Sequence, residues 1–239
     1  GFEYNFKNTA TNSITLFGGQ TSLAWKGLPA NRDIQLTEDD IDALRYAIPG
    51  IEHIRGRYRV WRGASQLQHG MNYGSFSIRG LGPESLPLEG QVILRGRFIN
   101  EVDEQQERKV IVMAMDCVKE LFKEEDPMDQ WVNVNGVPFL VVGIYEFESG
   151  GHNTMERSPV YIPLNAAQKV FNAKQDVDDI MFSFADASIN GAKQAEARAV
   201  QTIARRHNFD PTDERALWVN NNLENVTMVG GIFTGITTD

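Results

Sequence analysis

The two ends of this chain follow one pattern: an extended run, an amphipathic helix, then a second extended run. Near the start, Ser13-Ile-Thr-Leu-Phe17 and Thr21-Ser-Leu-Ala-Trp25 read as strand, broken at Gly18-Gly19, where a bulge or bend is expected. Thr37-Glu-Asp-Asp40 opens a helix, because Thr37 can accept a bond from a free backbone N–H and three carboxylates sit at the positive end of the dipole. Ile41, Leu44 and Ile48 mark one helical face, and Pro49-Gly50 ends it. Ile54, Tyr58 and Val60 then alternate with Arg55, Arg57 and Arg59, the pattern of a half-buried strand. Toward the C-terminus, Ile180, Phe182 and Phe184 alternate along a strand, and Ser188 can cap a helix running from about Asn190 to Arg206. Ala192, Ala195, Ala199 and Ile203 form its apolar stripe; Arg205, Arg206 and His207 suit its negative end, and Asn208 suits a left-handed terminator. Arg215-Ala-Leu-Trp-Val219 is the closing strand. Each unit needs the other's strands to bury its helix, so the two are expected to share a sheet.

The middle is richer in strands. Gln91 to Ile99 and Lys109 to Met113 are extended runs around a charged turn, Glu101 to Arg108. A short helix follows from Asp116 to Phe122, with Val118, Leu121 and Phe122 on one side. Trp131-Val-Asn-Val134 and Val137 to Tyr145 flank Asn135-Gly136, a strong hairpin signal because a type I′ turn needs positive φ at both central positions. Gly150-Gly151 marks a loop before a strand at Pro159 to Ile162 and a helix through Phe171. The expected fold class is therefore α+β. One subdomain of β-α-β units (residues 1–85 with 173–239) is interrupted by an inserted β-rich subdomain (residues 86–172).

Charge narrows the functions open to such a chain. Its 239 residues carry 23 basic and 32 acidic side chains, a formal net charge of −9, which is not the footprint of a nucleic-acid binder. The single Cys117 excludes an internal disulfide framework. The apolar run from Val137 to Tyr145 is far too short to span a bilayer, and no basic-then-apolar signal opens the chain. The start at Gly1-Phe2-Glu3, without methionine, reads as an excised or processed fragment.

The chemistry-bearing patterns are missing. No glycine-rich loop precedes Lys and Ser/Thr, Gly80-Leu-Gly82 runs into proline rather than a helix, and no Gly-x-Ser-x-Gly elbow occurs. His53, His69, His152 and His207 are never within four residues of one another, so no local metal-ligand pair exists. Glu38-Asp39-Asp40 reads as helix capping, and Asp176-Val-Asp178-Asp179 as a solvated loop without the glycine and distal glutamate of a calcium site. Arg55, Arg57 and Arg59 read as an exposed basic stripe balanced by the surplus acids, with an anion site as the alternative. Cys117 reads as a small buried hydrophobe, and Trp25, Trp61, Trp131 and Trp218 as core. No catalytic, cofactor-binding or metal residue is assigned, and no cofactor is expected.

The order of the central segments carries a resemblance. Gly90-Gln-Val-Ile-Leu-Arg-Gly-Arg-Phe-Ile-Asn-Glu-Val-Asp103, Lys109-Val-Ile-Val-Met113, Val118-Lys-Glu-Leu-Phe122, Val132 to Ile144 and Val160-Tyr-Ile-Pro-Leu-Asn-Ala-Ala167 follow one another in a familiar series. The series resembles the extracytoplasmic core domain of MacB-type ABC transporter permeases, the group of macrolide exporters and lipoprotein-releasing permeases. The Thr37 helix, Pro49-Gly50-Ile51 and the Arg205-Arg206-His207 helix end also fall in that order. Where many members have Leu-Phe-Gly, this chain has Leu121-Phe122-Lys123, followed by Glu124-Glu125-Asp126.

The resemblance implies a periplasmic domain looped out between the first two membrane helices of an inner-membrane permease that works as a homodimer. Its β-α-β part would be like the porter domains of resistance pumps. ATP would be hydrolysed in a separate domain or subunit, so this chain is expected to be no enzyme but a lever. Its partners would be the rest of the permease and its ATPase, with a periplasmic adaptor and an outer-membrane channel in some members, and no nucleic acid. The polar loops Trp61 to Tyr73 and Glu148 to Glu156 are expected to supply the contact surface, with Gln66, His69 and Tyr73 as partner-contact candidates. Gly1 and Asp239 are expected on one face, and Val226 to Phe233 is expected to approach the second membrane helix. A self-contained periplasmic ligand- or glycan-binding module using the tryptophans is the alternative, and an enzyme with dispersed residues is the third.

Overall fold

The computed structural model describes residues 12–60, 65–147 and 158–223. Trp61, His152, Gly150-Gly151, the Glu148 to Glu156 loop, the segment from Val226 to Phe233 and both chain ends lie outside the described residues. In chain order the elements are β1 (Ser13–Gly18), β2 (Leu36–Thr37), α1 (Glu38–Ala47), β3 (Ile51–Arg59), β4 (Gln66–His69), β5 (Asn72–Ser75), β6 (Ile78–Leu81), α2 (Ser85–Glu89), β7 (Gln91–Gly96) and α3 (Glu101–Gln105). They continue with β8 (Val110–Ala114), α4 (Met115–Phe122), β9 (Trp131–Val134), β10 (Val137–Phe147), β11 (Val160–Pro163), α5 (Leu164–Val170), β12 (Asp176–Val177), β13 (Asp179–Phe184), α6 (Ile189–His207) and β14 (Leu217–Asn221). The fold is α+β, and the chain divides into two compact units whose boundaries fall at residues 56/57 and 176/177. The sequence reading sets the boundaries at 85/86 and 172/173. The residues between 57 and 85 contribute β4, β5 and β6, whose hydrogen-bonded partners β9 and β11 lie in the central unit.

The unit built from both ends has strand order β14-β1-β13-β3. β1 is antiparallel to β13 on one side and β14 on the other, Leu16 facing Ile180 and Val219. Each strand–helix–strand unit therefore straddles a strand of the other, the split βαβ arrangement. Ile14, Leu16, Ile180 and Phe182 of the strands are fully buried, as are Leu44 of α1 and Ala192, Ala199 and Ile203 of α6. Ser188 accepts from the Gly191 amide at 3.0 Å, and Asn208 ends α6 in the left-handed region at φ 54°.

Thr21 to Trp25 is not a strand. Only isolated bridges occur there, Gln20 with Asp33 and Trp25 with Leu28. The Ser22 and Leu23 amides donate to the Asp213 carboxylate at 2.8 and 3.0 Å instead of entering a ladder. Two charge readings also change. Arg55 and Asp179 are both buried and form an ion pair at 2.5 Å, and Arg57 is 3.9 Å from Glu89. Of the three arginines only Arg59 is exposed, so they do not form an exposed stripe, and Asp179 is not in a solvated loop.

The central unit is a mixed sheet in the order β6-β11-β8-β10-β9-β4-β5, with β7 beside the far end of β10 and the last residues of β3 on β6. β10 is long enough to pair with β9 at its start and β7 at its end while running parallel to β8. Asn135 and Gly136 both have positive φ, 49° and 81°, as the hairpin joining β9 to β10 requires. Ile111, Val112, Met113, Phe139, Val141 and Ile162 form the centre of the core. The Glu101 to Arg108 stretch is a helix for its first half rather than a turn. Asn100 caps it, accepting from the Asp103 amide at 3.0 Å, and the buried Asp103 carboxylate takes both fork bonds of Arg97 at 2.7 and 3.0 Å. Cys117 is buried and donates its thiol to the Ser158 carbonyl at 3.2 Å.

Candidate docking surface

Gln66, His69 and Tyr73 lie on a β-hairpin and not on a loop. β4 and β5 pair from Gln66↔Ser75 to His69↔Asn72, leaving Gly70 and Met71 as a two-residue connection. Gly70 has φ 57°, and glycine at the first central position is what a II′ turn demands. Leu67 and Gly74 are opposite each other, and Leu67 is buried, so this register points Leu67 inward and Gln66, Gln68, Tyr73 and Ser75 outward. The sequence signal for the hairpin is faint, because Gln-Leu-Gln-His carries one apolar residue.

The structure separates the three candidates. Gln66 and Tyr73 share the outward face, where Tyr73 is 68% exposed. His69 lies on the inward face. Its ring sits 4.1 Å from that of Phe122 at 31°, its Nδ1 is 2.9 Å from the Trp131 carbonyl and its Nε2 is 3.0 Å from the Glu125 carboxylate. These contacts tie the hairpin to α4, β9 and the loop after α4. Asn72 adds to this anchor by donating to the Leu121 carbonyl at 3.0 Å.

Three exposed residues, Trp131, Asn133 and Met71, complete the outward surface. β4 pairs with β9, Gln68 opposite Asn133, so Trp131 and Asn133 face outward while Val132 and Val134 are buried. Trp131 is 56% exposed, as is Trp218 in the other unit, so neither is core. The alternation of Trp131-Val-Asn-Val134 carried this signal, since two buried valines force the tryptophan to the other face. Met71 at the hairpin tip is 91% exposed. Beyond α4, Arg95 grips Asp126 through two bonds of 2.8 and 3.1 Å, and with the Met128 amide it holds the Asp126 carboxyl below the usual carboxylate range. The surface has an aromatic, amide-rich face. Among the described residues no cluster of three or more His, Cys, Asp or Glu is placed to hold a metal ion.

Comparison with known proteins bears on this arrangement. The chain is 25% identical over 197 residues to the macrolide export ATP-binding/permease protein MacB 2 of Aeromonas hydrophila, covering 82% of this chain and 29% of that protein. It is 24% identical over 214 residues to the macrolide export ATP-binding/permease protein MacB of Chlorobaculum tepidum, covering 89% and 32%. It thus spans less than a third of the length of these relatives. The crystal structure of the periplasmic region of MacB from Actinobacillus actinomycetemcomitans superposes with a TM-score of 0.72 at 18% identity, covering 93% of this chain and 94% of that one. The extracellular domain of the ABC-type transporter YknZ from Gram-positive bacteria gives 0.70 at 18% identity, covering 88% and 100%. Both likenesses are of fold. The model of the MacB-like periplasmic core domain matches residues 1–200, and this chain belongs to that family.

Proposed function

We propose that this chain is the looped-out periplasmic part of an inner-membrane ABC exporter permease. It passes on motion driven by ATP hydrolysed elsewhere in the assembly, and it docks a periplasmic partner through the outward face of β4, β5 and β9. The family and the similarity to ATP-binding/permease proteins support the first part. The less than one-third coverage of those relatives leaves room in them for the ATPase and membrane segments. In this reading the chain is a porter-like subdomain interrupted by a β-rich one, and two copies work together in the transporter.

The observation that carries the docking reading is Tyr73 and Trp131, both more than half exposed, on one rigid sheet face with Gln66, Gln68 and Asn133. Aromatic side chains exposed on stiff strands lose little entropy on binding, and they recur as the energetic centres of interfaces. The test is a triple replacement, Gln66→Ala, Tyr73→Ala and Trp131→Ala, in the full transporter. Adaptor capture and drug export should fall about tenfold or more while ATPase activity and the melting temperature are kept. Unchanged capture and export would remove this face as the docking surface.

A further inference from the structure

In the unit formed by both chain ends, a tight turn before β2 sets a lysine where turn chemistry asks for another residue. Trp25 and Leu28 exchange both backbone bonds, at 3.0 and 2.8 Å, across Lys26 and Gly27. Those two residues have φ 45° and 83°. Positive φ at both central positions defines a type I′ turn, whose first place favours asparagine, aspartate or glycine. Lysine there carries a backbone strain that those residues escape, and residues held in such strain cluster at ligand clamps. The side chain is held as well. Its Nζ lies 5.4 Å from the centre of the Trp25 ring, where the aromatic face attracts the cation.

Lys26 lines a cavity of about 250 Å³ together with Trp25 and, from the end of α6 onward, Arg205, Asn208, Phe209 and Pro211. Arg205 is not required to balance the helix end. Arg206 and His207 of the same turn reach Asp40, and Arg32 donates to the His207 and Asn208 carbonyls. Lys26 and Arg205 are both exposed, and among the described residues neither has a carboxylate partner. Two cations on one cavity repel each other, and an anion placed between them relieves both. Arginine's planar fork takes two oxygens of a phosphate while a lysine ammonium takes a third, so a dianion suits the pair better than a single carboxylate. The rest of the lining suits a sugar. Phe209 and Pro211 offer apolar surface to one face of a ring, and the Asn208 and Gln201 amides can pair with hydroxyls. A cavity of about 150 Å³ already admits a benzene ring, so this one has room for a single ring and its phosphate. We infer that the cavity binds a phosphorylated sugar, its phosphate between Lys26 and Arg205 and its ring against Phe209 and Pro211. The site lies in the other unit from the hairpin and does not rest on the docking reading.

The experiment is an amide NMR titration of the chain at low salt, with glucose-6-phosphate as the probe and glucose, inorganic phosphate and phosphatidate vesicles beside it. Glucose-6-phosphate should move the Gly27 and Asn208 resonances saturably. Glucose lacks the anion and inorganic phosphate lacks the ring, so each should bind at least about tenfold more weakly. Arg205→Gln should weaken glucose-6-phosphate by about tenfold with an unaltered melt. Lys26→Asn should weaken it by about as much while the melting point holds or rises, because asparagine fits the turn. That opposition separates a ligand-binding lysine from a structural one. No saturable shift with glucose-6-phosphate, or equal binding by either variant, would overturn the inference. So would equal binding of glucose or of inorganic phosphate, the latter marking an adventitious ion only. Tighter binding of the phosphatidate vesicles would assign the cations to a lipid headgroup and remove the sugar.

Discussion

Asp40 joins the two helices of the terminal unit. It is fully buried at the start of α1, accepts from the Thr37 amide at 2.9 Å, and is reached from the last turn of α6 by Arg206 at 2.7 Å and His207 at 2.8 Å. Burial alone would raise its pKa, but the bonds from His207, Arg206 and Thr37 outweigh that and hold it below the usual carboxylate value. A depressed folded pKa means the stabilisation is present above the unfolded value of about 4 and is lost as pH falls through the folded one. Asp40→Asn should therefore cost about 2 kcal/mol at neutral pH and flatten the acid limb of stability, checked by urea melts between pH 7 and 2. The Arg55–Asp179 pair is enclosed more fully. Arg55→Met alone should cost about 3 kcal/mol by leaving Asp179 buried without its cation, whereas Arg55→Met with Asp179→Leu should recover much of that loss, as a double-mutant cycle would read. The capping role of Asp40 was legible from Thr37-Glu-Asp-Asp40. Its ion pairs were not, because their partners lie more than 160 residues away.

Among the elements, those with local signals were the ones read correctly. α6 was expected from about 190 to 206 and spans Ile189–His207, because its cap, apolar stripe and terminator all lie within its own sequence. The β9–β10 turn was legible because Asn-Gly fits its positive dihedrals without neighbours. The β4–β5 hairpin was not, since its polar strands are held by Val134 across the ladder and by α4 beneath His69. Thr21 to Trp25 had strand composition, yet Asp213 took the Ser22 and Leu23 amides. Lys123 offers a test at this scale. It ends α4 with φ 57° and ψ −109°, backbone space that favours glycine. Lys123→Gly should stabilise the protein by about 1 kcal/mol, seen as a melting point several degrees higher. No change would mean the surrounding loop relaxes to accommodate lysine.

For the whole molecule, the division at 56/57 and 176/177 carries its own prediction. The central core draws all its members from residues 57–176, so a polypeptide of residues 57–176 should fold alone, with dispersed amide resonances and a cooperative melt. Residues 177–223 alone should not, because β13 and β14 are bridged by β1 from the other end of the chain. A disordered spectrum for the 57–176 polypeptide would show that it needs the terminal unit. The sequence by itself determined the α+β class, the two strand–helix–strand units, the central Asn-Gly hairpin and the family, because these rest on periodicity, capping chemistry and the order of segments along the chain. Only the tertiary structure decided which side chains reach a surface. Tyr73 and Trp131 came onto one face, His69 turned inward, and Arg55 and Asp179 became buried. Each outcome depends on strand partners far apart in sequence, and a pairing register turns a side chain inward or outward in a way that no local pattern records.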